Sequence, residues 1–214
     1  MAFVSWVLHV IRNPDELIRL SGYPLLILML IIFVETGALV FFLPGDSLLV
    51  TAGLYAARGS LDIWQLNLAL IPMAILGDAL SYTIGKRSGP ALFSRPQSRF
   101  FNPQHLRSAH AFYEKHGGKT IIIARFMPIF RTFVPVVAGA AQMPYARFAL
   151  YNIVGGASWV SSMTLLGYLL ANWAERHNFP IDKHIEKLII IVVFLSILPA
   201  LIAYARRRFG RQAG

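Results

Sequence analysis

Apolar residues along this chain gather in long runs that short polar connections separate. The runs cover residues 23–55, 64–84, 120–143, 148–173 and 188–204. Most of them approach or exceed the roughly 20 residues that a helix needs to cross the hydrocarbon core of a bilayer. The pattern therefore predicts an all-α polytopic membrane protein.

The N-terminal segment differs from these runs because its apolar stretch is short. Residues 1–11 lack a preceding basic segment, and the Asn-Pro-Asp-Glu sequence at 13–16 is typical of a helix start rather than of a signal-peptide cleavage site. Apolar positions at Leu17, Ile18 and Leu20 follow. We predict an amphipathic segment at the membrane surface over residues 1–22.

Composition supports the membrane assignment. The chain is 56% apolar and only 14% charged, with a mean hydropathy of +0.57, whereas about 25% of residues are charged in soluble domains. This excludes a soluble enzyme or a nucleic-acid-binding domain. With no cysteine, the chain also lacks disulfides, thiolate nucleophiles and cysteine-bound metals.

The net charge of +10 indicates topology, because the basic residues cluster in connections. Residues 85–119 carry seven basic side chains against one acid, and the tail 206–214 carries four arginines and no acid. Basic connections stay in the cytoplasm, so both segments are predicted there. The balanced segment 172–187 belongs outside, which makes 176–205 an outer loop followed by a C-terminal transmembrane helix.

Parity then constrains the run 120–143. If 148–173 crosses outward and 188–204 crosses inward, the run 120–143 must begin and end in the cytoplasm. It is predicted to be a re-entrant hairpin that Pro128 and Pro135 break, a geometry that membranes tolerate where the backbone lines a protein cavity.

The two halves of the membrane domain 23–175 are weakly similar. Residues 23–85 hold Pro44-Gly45 followed by Ala52-Gly53, and residues 105–173 hold Pro135 followed by Ala138-Gly139. This predicts two inverted re-entrant hairpins packed against transmembrane helices, with helix breaks at Pro44 and Gly45 in the first. Whether 23–55 also contains a complete crossing stays open.

Five ionisable residues lie inside the apolar runs: Glu35, Asp46, Asp78, Arg125 and Arg131. Exposing all five to lipid would cost about 12 to 17 kcal/mol, so they must face protein, water or one another. The first hairpin supplies only acids and the second only bases, which favours pairing between hairpins. A break at Pro128 would let both arginines turn into one cavity, where their planar forks suit a phosphate group.

Other interpretations of these charges remain. The ion pairs would also serve simply to lock the two hairpins together. For Asp78, a structural role, through a local hydrogen bond or a position near the cytoplasmic end, is favoured over a role as an additional site residue. Lipid phosphatase chemistry at Lys119 and Arg125 would require a histidine nucleophile, which the apolar runs lack, and the scattered histidines do not suit a metal. We therefore expect no enzyme activity, no metal and no cofactor.

The sequence resembles the DedA family of bacterial inner-membrane proteins, which belongs to a superfamily that includes eukaryotic lipid scramblases. The resemblance covers about residues 20–175 and is carried by Phe33-Val34-Glu35, Pro44-Gly45-Asp46, Gly77-Asp78, Arg131, Pro135, Ala138-Gly139, Asn152 and Trp159, among others. It implies two inverted re-entrant hairpins. It also implies that Glu35, Asp46, Arg125 and Arg131 are required for activity, and that the substrate is undecaprenyl phosphate or another lipid, moved with dependence on the proton gradient.

The expected function is therefore a proton-coupled flippase for a polyprenyl phosphate in the bacterial inner membrane, with a cytoplasmic C-terminus. Glu35 and Asp46 are the predicted proton sites, and Arg125 and Arg131 the predicted phosphate site. The alternatives are a flippase or scramblase for a phospholipid such as phosphatidylethanolamine, and a non-transporting membrane scaffold. Expected partners are an anionic lipid, protons and membrane lipids but no nucleic acid, and a homo-oligomer stays open.

Overall fold

The computed structural model describes residues 23–38, 45–93 and 118–177. Within these ranges 87% of residues are helical and none forms a strand, so the predicted all-α class is confirmed for them. The helices are α1 (Pro24–Gly37), α2 (Gly45–Ala57), α3 (Ile63–Phe93), α4 (Lys119–Ala124), α5 (Pro128–Ala140) and α6 (Tyr145–Arg176).

Helices α3 and α6 are long enough to cross a bilayer. Their apolar spans, Ile63–Gly89 and Tyr145–Arg176, include the predicted runs 64–84 and 148–173. The two helices run antiparallel, because Thr164 Oγ1 lies 3.2 Å from Asn67 Oδ1 and Asn152 Nδ2 donates to the carbonyl of Ile75 at 3.0 Å. They form the axis around which the shorter helices pack.

The run 23–55 holds two short helices instead of one long one. α1 runs parallel to α3, and Ser81 Oγ donates to the carbonyls of Thr36 and Gly37 at the end of α1. α2 runs parallel to α6, with Leu54 packed beside Ala171 and Ala174. The pair of α1 and α2 therefore begins beside the start of α3 and returns to the end of α6, which is the same end of the two antiparallel long helices.

The second pair, α4 and α5, begins and ends at the opposite end of the axis. α4 follows the first turns of α6, with Gly118 against Tyr151. α5 runs parallel to α3, and its last residue, Ala140, lies against Gly89. The chain thus reverses direction between α4 and α5.

The prolines of this second pair behave differently from each other. Pro128 is the first residue of α5, after a break of three residues. The prediction that Pro135 breaks the helix is wrong, because α5 continues through it to Ala140. Pro135 only removes the hydrogen bond that its missing N–H would donate to the carbonyl of Arg131. Close packing along α3 holds the helix together despite that loss.

The two pairs of short helices, α1 with α2 and α4 with α5, contact the long helices through glycines on both sides of each contact. In each contact a glycine allows one helix backbone to approach another, as small residues do in membrane helix packing. The contacts are Gly53 on Thr164, Gly167 on Val50, Gly139 on Tyr82, and Gly85 on Val136. Each half of the chain therefore packs its second short helix against the long helix of the other half.

Several predicted segments lie outside the described residues. They are the N-terminal segment 1–22, Pro44, most of the basic connection 85–119, the C-terminal helix 188–204 and the tail 206–214.

Candidate functional site

Helices α1, α2 and α5 bring three predicted charges together between the two halves of the chain. Arg131 Nη1 donates to Asp46 Oδ1 at 2.6 Å, and Arg131 Nη2 donates to Glu35 Oε1. All three side chains are buried, and Glu35 has no exposed surface. The expected pairing of acids from the first hairpin with a base from the second therefore holds for Arg131.

Trp159 on α6 completes this central cluster, which we define as Glu35, Asp46, Arg131 and Trp159. Its indole Nε1 donates to Asp46 Oδ1 at 2.8 Å, and the Arg131 guanidinium carbon lies 4.7 Å from the centroid of its ring. The ring thus stabilises the cation while its N–H stabilises the acid. Sequence reasoning did not select Trp159 as a site residue, although a buried indole N–H needs an acceptor.

The start of α2 is shaped to fit the Glu35 carboxylate. Gly45, the first residue of the helix, lies so close to this carboxylate that any Cβ would collide with it. Asp46 lies in the same first turn. Because the N-terminus of a helix carries partial positive charge, it attracts both carboxyl groups.

Arg125 does not join the central cluster. Its Nη2 contacts the Asp78 carboxylate, Asn152 Oδ1 and, at 3.4 Å, the carbonyl of Ala74. The expected convergence of both arginines with Glu35 and Asp46 is therefore wrong. So is the local hydrogen bond expected for Asp78, which contacts an arginine 47 positions away. We call Arg125, Asp78 and Asn152 the inner cluster.

The break between α4 and α5 accounts for this separation. Met127 has an extended backbone, which a following proline favours, so the chain reverses before Arg131. Arg125 stays at the end of α4 and lies over α6. There, Gly155 and Gly156 leave room for it, since a Cβ on Gly155 would lie 3.1 Å from Arg125 Cδ.

The two clusters lie one above the other along α6. Asn152 and Trp159 are seven residues apart, which places them on nearly the same helix face and about 10 Å apart along the axis. Trp159 is midway between Tyr145 and Trp173, about 21 Å along the axis from each. The central cluster thus lies at the middle of α6, and the inner cluster lies closer to the start of α6.

Both arginines keep one buried N–H free of protein partners among the described residues. Arg125 Nε and Arg131 Nε are buried and make no hydrogen bond to any described residue. A buried N–H without an acceptor is costly, and an unpartnered guanidinium N–H suits an anion. Among the described residues, no group of three or more acids, histidines or cysteines is arranged to hold a metal ion.

A known family model matches more than half of the chain. Residues 43–169 match the VTT domain, which spans α2 to α6 and both clusters except for Glu35. No solved structure matches the chain.

Curated relatives cover most of the chain. It is 48% identical over 175 residues to an uncharacterized membrane protein of Mycobacterium leprae, which covers 82% of this chain and 77% of that protein. It is 42% identical over 209 residues to protein DedA of Escherichia coli K12, covering 96% and 93% of the two chains. Identity to the inner membrane protein YqjA of Escherichia coli K12 is 29% over 205 residues, covering 94% and 91%.

Proposed function

The chain belongs to the DedA family of VTT-domain membrane proteins, and we propose that it is a flippase that moves an anionic lipid across the bacterial inner membrane. Polyprenyl phosphate, in the form of undecaprenyl phosphate, is the proposed substrate. The observation that carries the proposal is the buried guanidinium of Arg131, held at the middle of the molecule with an unpartnered Nε. No chemical step is assigned to the site.

The short helix pairs act as re-entrant hairpins in this proposal. Helices α1, α2 and α5 measure about 20 Å, less than the roughly 30 Å of a bilayer core. Each pair starts and finishes at one end of the long helices, so neither needs to cross. Membranes tolerate broken backbone at this depth where it is buried in protein or lines a cavity.

Exposed charges at the two ends of the axis support the orientation. At one end the exposed charges are all basic among the described residues: Lys86, Arg87, Lys119 and Arg147. At the other end exposed acids and bases are mixed, with Asp62, Glu175 and Arg176. By the positive-inside rule the basic end faces the cytoplasm. The hairpin of α4 and α5 then enters from the cytoplasm and that of α1 and α2 from outside, and the C-terminal tail is proposed to be cytoplasmic.

Charge balance in the central cluster supplies the proton dependence. One guanidinium faces two carboxylates, so the cluster is negative when both acids are ionised. A phosphate would then meet net repulsion in a medium of low dielectric constant. A proton on Glu35 or Asp46 removes one competitor and releases part of the guanidinium for the phosphate. Protons entering from the outer side would thus be linked to headgroup capture.

The lipid tail has a short route to this site. Phe126 follows Arg125 directly, and Phe130 precedes Arg131. Both aromatic side chains are exposed at the surface of the protein. A headgroup entering beside them would reach a guanidinium while its isoprenoid tail stays in the lipid. This arrangement lowers the cost of moving charge through hydrocarbon.

A phospholipid flippase or scramblase is the second candidate. A cluster with two carboxylates and one guanidinium also suits a zwitterion, because the acids would hold the ammonium of phosphatidylethanolamine while Arg131 holds its phosphate. This candidate predicts faster movement of the zwitterionic lipid than of the polyprenyl phosphate.

The deciding experiment is flux in liposomes containing the purified full chain. Labelled polyprenyl phosphate and labelled phosphatidylethanolamine are compared side by side, with and without an imposed proton gradient. We expect gradient-dependent movement of the polyprenyl phosphate. Preference for phosphatidylethanolamine would favour the second candidate, and movement of neither lipid would contradict transport and favour a scaffold.

A further inference from the structure

We propose that the inner cluster is a second and separate anion station, at which the headgroup phosphate binds Arg125 on its way between the central cluster and the basic end of the molecule. Asp78 and Asn152 are its positioning residues. This inference rests on the proposed lipid transport, because it divides one transport path into two binding steps.

The first argument is separation. Asp78 and Asn152 hold Arg125 through its Nη2, whereas Glu35 and Asp46 hold Arg131. The two guanidiniums thus have separate sets of protein partners, and the α6 residues that contact them, Asn152 and Trp159, lie about 10 Å apart along the helix axis. Two buried arginines at different depths therefore indicate two stopping points.

The second argument is the geometry of Arg125. Its partners Ala74, Asp78 and Asn152 all meet the same atom, Nη2, and its Nε has no partner among the described residues. The protein thus holds the guanidinium by Nη2 and leaves the N–H of Nε without an acceptor in the part of the chain that the structure describes. A phosphate oxygen can accept this remaining N–H in a charge-assisted hydrogen bond.

The third argument is that the orientation of Arg125 is enforced from two sides. Asn152 donates through Nδ2 to the carbonyl of Ile75, which turns its Oδ1 toward Arg125. On the other side, Gly156 has no side chain where a Cβ would lie 3.2 Å from Arg125 Nη1. An ion pair between Asp78 and Arg125 that served structure alone would need neither the amide of Asn152 nor the space that Gly156 leaves.

The fourth argument is the difference in charge between the stations. Arg125 faces one carboxylate within hydrogen-bonding distance, that of Asp78, whereas Arg131 faces two. A phosphate arriving at Arg125 therefore competes with a single acid. Beyond it, toward the start of α6, lie the exposed bases Lys119 and Arg147, which would attract a departing anion.

The first test locates the phosphate. A short-chain polyprenyl phosphate with a photoreactive group beside the phosphate is cross-linked to the full chain in nanodiscs, and the labelled peptides are mapped. We expect wild type to be labelled around both Asn152 and Trp159, Arg131→Gln only around Asn152, and Arg125→Gln only around Trp159. Loss of both labels in Arg125→Gln and likewise in Arg131→Gln would overturn the proposal of two separate stations.

The same experiment separates this inference from the proposed function. If wild type moves lipid in liposomes but is labelled at only one position, the second station is wrong and transport stands. If wild type neither moves the lipid nor is labelled, the proposed function itself fails, and this inference fails with it.

The second test addresses the positioning residues. We expect Asn152→Ala to raise the KM for flux about tenfold, as for loss of one hydrogen bond to a charged group, and to remove the label near position 152 while keeping that near Trp159. Asn67→Ala is the matched control, because Asn67 is also an amide between the two long helices, half-buried, but contacts Thr164 and not an arginine.

Replacing Asp78 is expected to change binding at the inner station in the opposite direction to replacing Asn152. Because Asp78 competes with the phosphate, Asp78→Asn should strengthen the label at the inner station and slow the release of the lipid, which lowers kcat without raising KM. If Asp78→Asn does not fold, Asp78→Glu keeps the charge and should keep both labels. A folded Asp78→Asn variant without the inner label, or Asn152→Ala with both labels and normal flux, would overturn the assignment.

Discussion

At the scale of single residues, the guanidinium of Arg131 organises the central cluster. It contacts two carboxylates through separate nitrogens and lies against an indole ring. An ammonium has neither the planar fork nor the stacking surface, so Arg131 and lysine are not equivalent here even though both carry one positive charge.

We therefore expect Arg131→Lys to reduce binding of polyprenyl phosphate and its flux by about tenfold or more, the effect of losing one charge-assisted hydrogen bond. The measurement is headgroup binding and liposome flux on the same preparation. Arg147→Lys is the control, because Arg147 is exposed at the start of α6. Full activity in Arg131→Lys would indicate a generic ion pair in place of a phosphate site.

Glu35 and Asp46 distinguish proton coupling from simple pairing. If they are proton sites, Glu35→Gln and Asp46→Asn imitate the protonated state, so the variants should fold, bind phosphate and show slow flux that no longer responds to a proton gradient. If they only neutralise Arg131, removing one partner of a buried pair should cost about 3 to 5 kcal/mol of stability.

Yield, thermal stability, headgroup binding and gradient-dependent flux are measured together on these variants. Asp62→Asn is the control, since Asp62 is an exposed acid that accepts a hydrogen bond from the backbone N–H of Gln65 at the start of α3. Normal gradient dependence in both folded variants would contradict proton coupling. Loss of fold in both would support a structural lock between the hairpins.

At the scale of helices, glycine contacts between the halves set how closely the short helices approach the long ones. Gly139 lies against the carbonyl of Tyr82, and Gly53 against that of Thr164. At each position a methyl group would meet backbone, which cannot rotate away as a side chain does. These contacts hold α5 on α3 and α2 on α6, and thereby keep Arg131 between Glu35 and Asp46.

We expect Gly139→Ala and Gly53→Ala to lower stability by about 1 to 3 kcal/mol, the usual cost of overpacking, although alanine is the better helix former. Thermal unfolding in detergent measures this. Gly37→Ala is the milder control, because its Cβ would stay 3.3 Å from the nearest atoms. Unchanged stability in both test variants would mean that the helices separate easily at these contacts.

At the scale of the whole molecule, the contrast between the basic end and the mixed end predicts the topology. A cysteine at exposed Ser60, between α2 and α3, should react with an impermeant thiol reagent added outside cells. A cysteine at exposed Ala146, at the start of α6, should react only after the membrane is opened. The natural chain has no cysteine that would interfere. The reverse labelling pattern would overturn the orientation and the direction from which each hairpin enters.

The sequence by itself determined the helical class, the two long apolar helices and the charges that lipid cannot accept. These follow from composition and from the length of apolar runs, which are local properties that a bilayer constrains strongly. The same constraint identified Glu35, Asp46 and Arg131 as groups that must find partners within the protein.

Only the tertiary structure decided which groups became partners. Arg125 and Arg131 are six residues apart, and the sequence suggested one shared cavity. The break before Pro128 instead leaves Arg125 at the end of α4, where it contacts Asp78 on α3 and Asn152 on α6. The role of Trp159 and the continuity of α5 through Pro135 likewise depended on packing against α6 and α3. Partners 27 to 113 positions apart are selected by how helices cross, and no local pattern in the sequence records that.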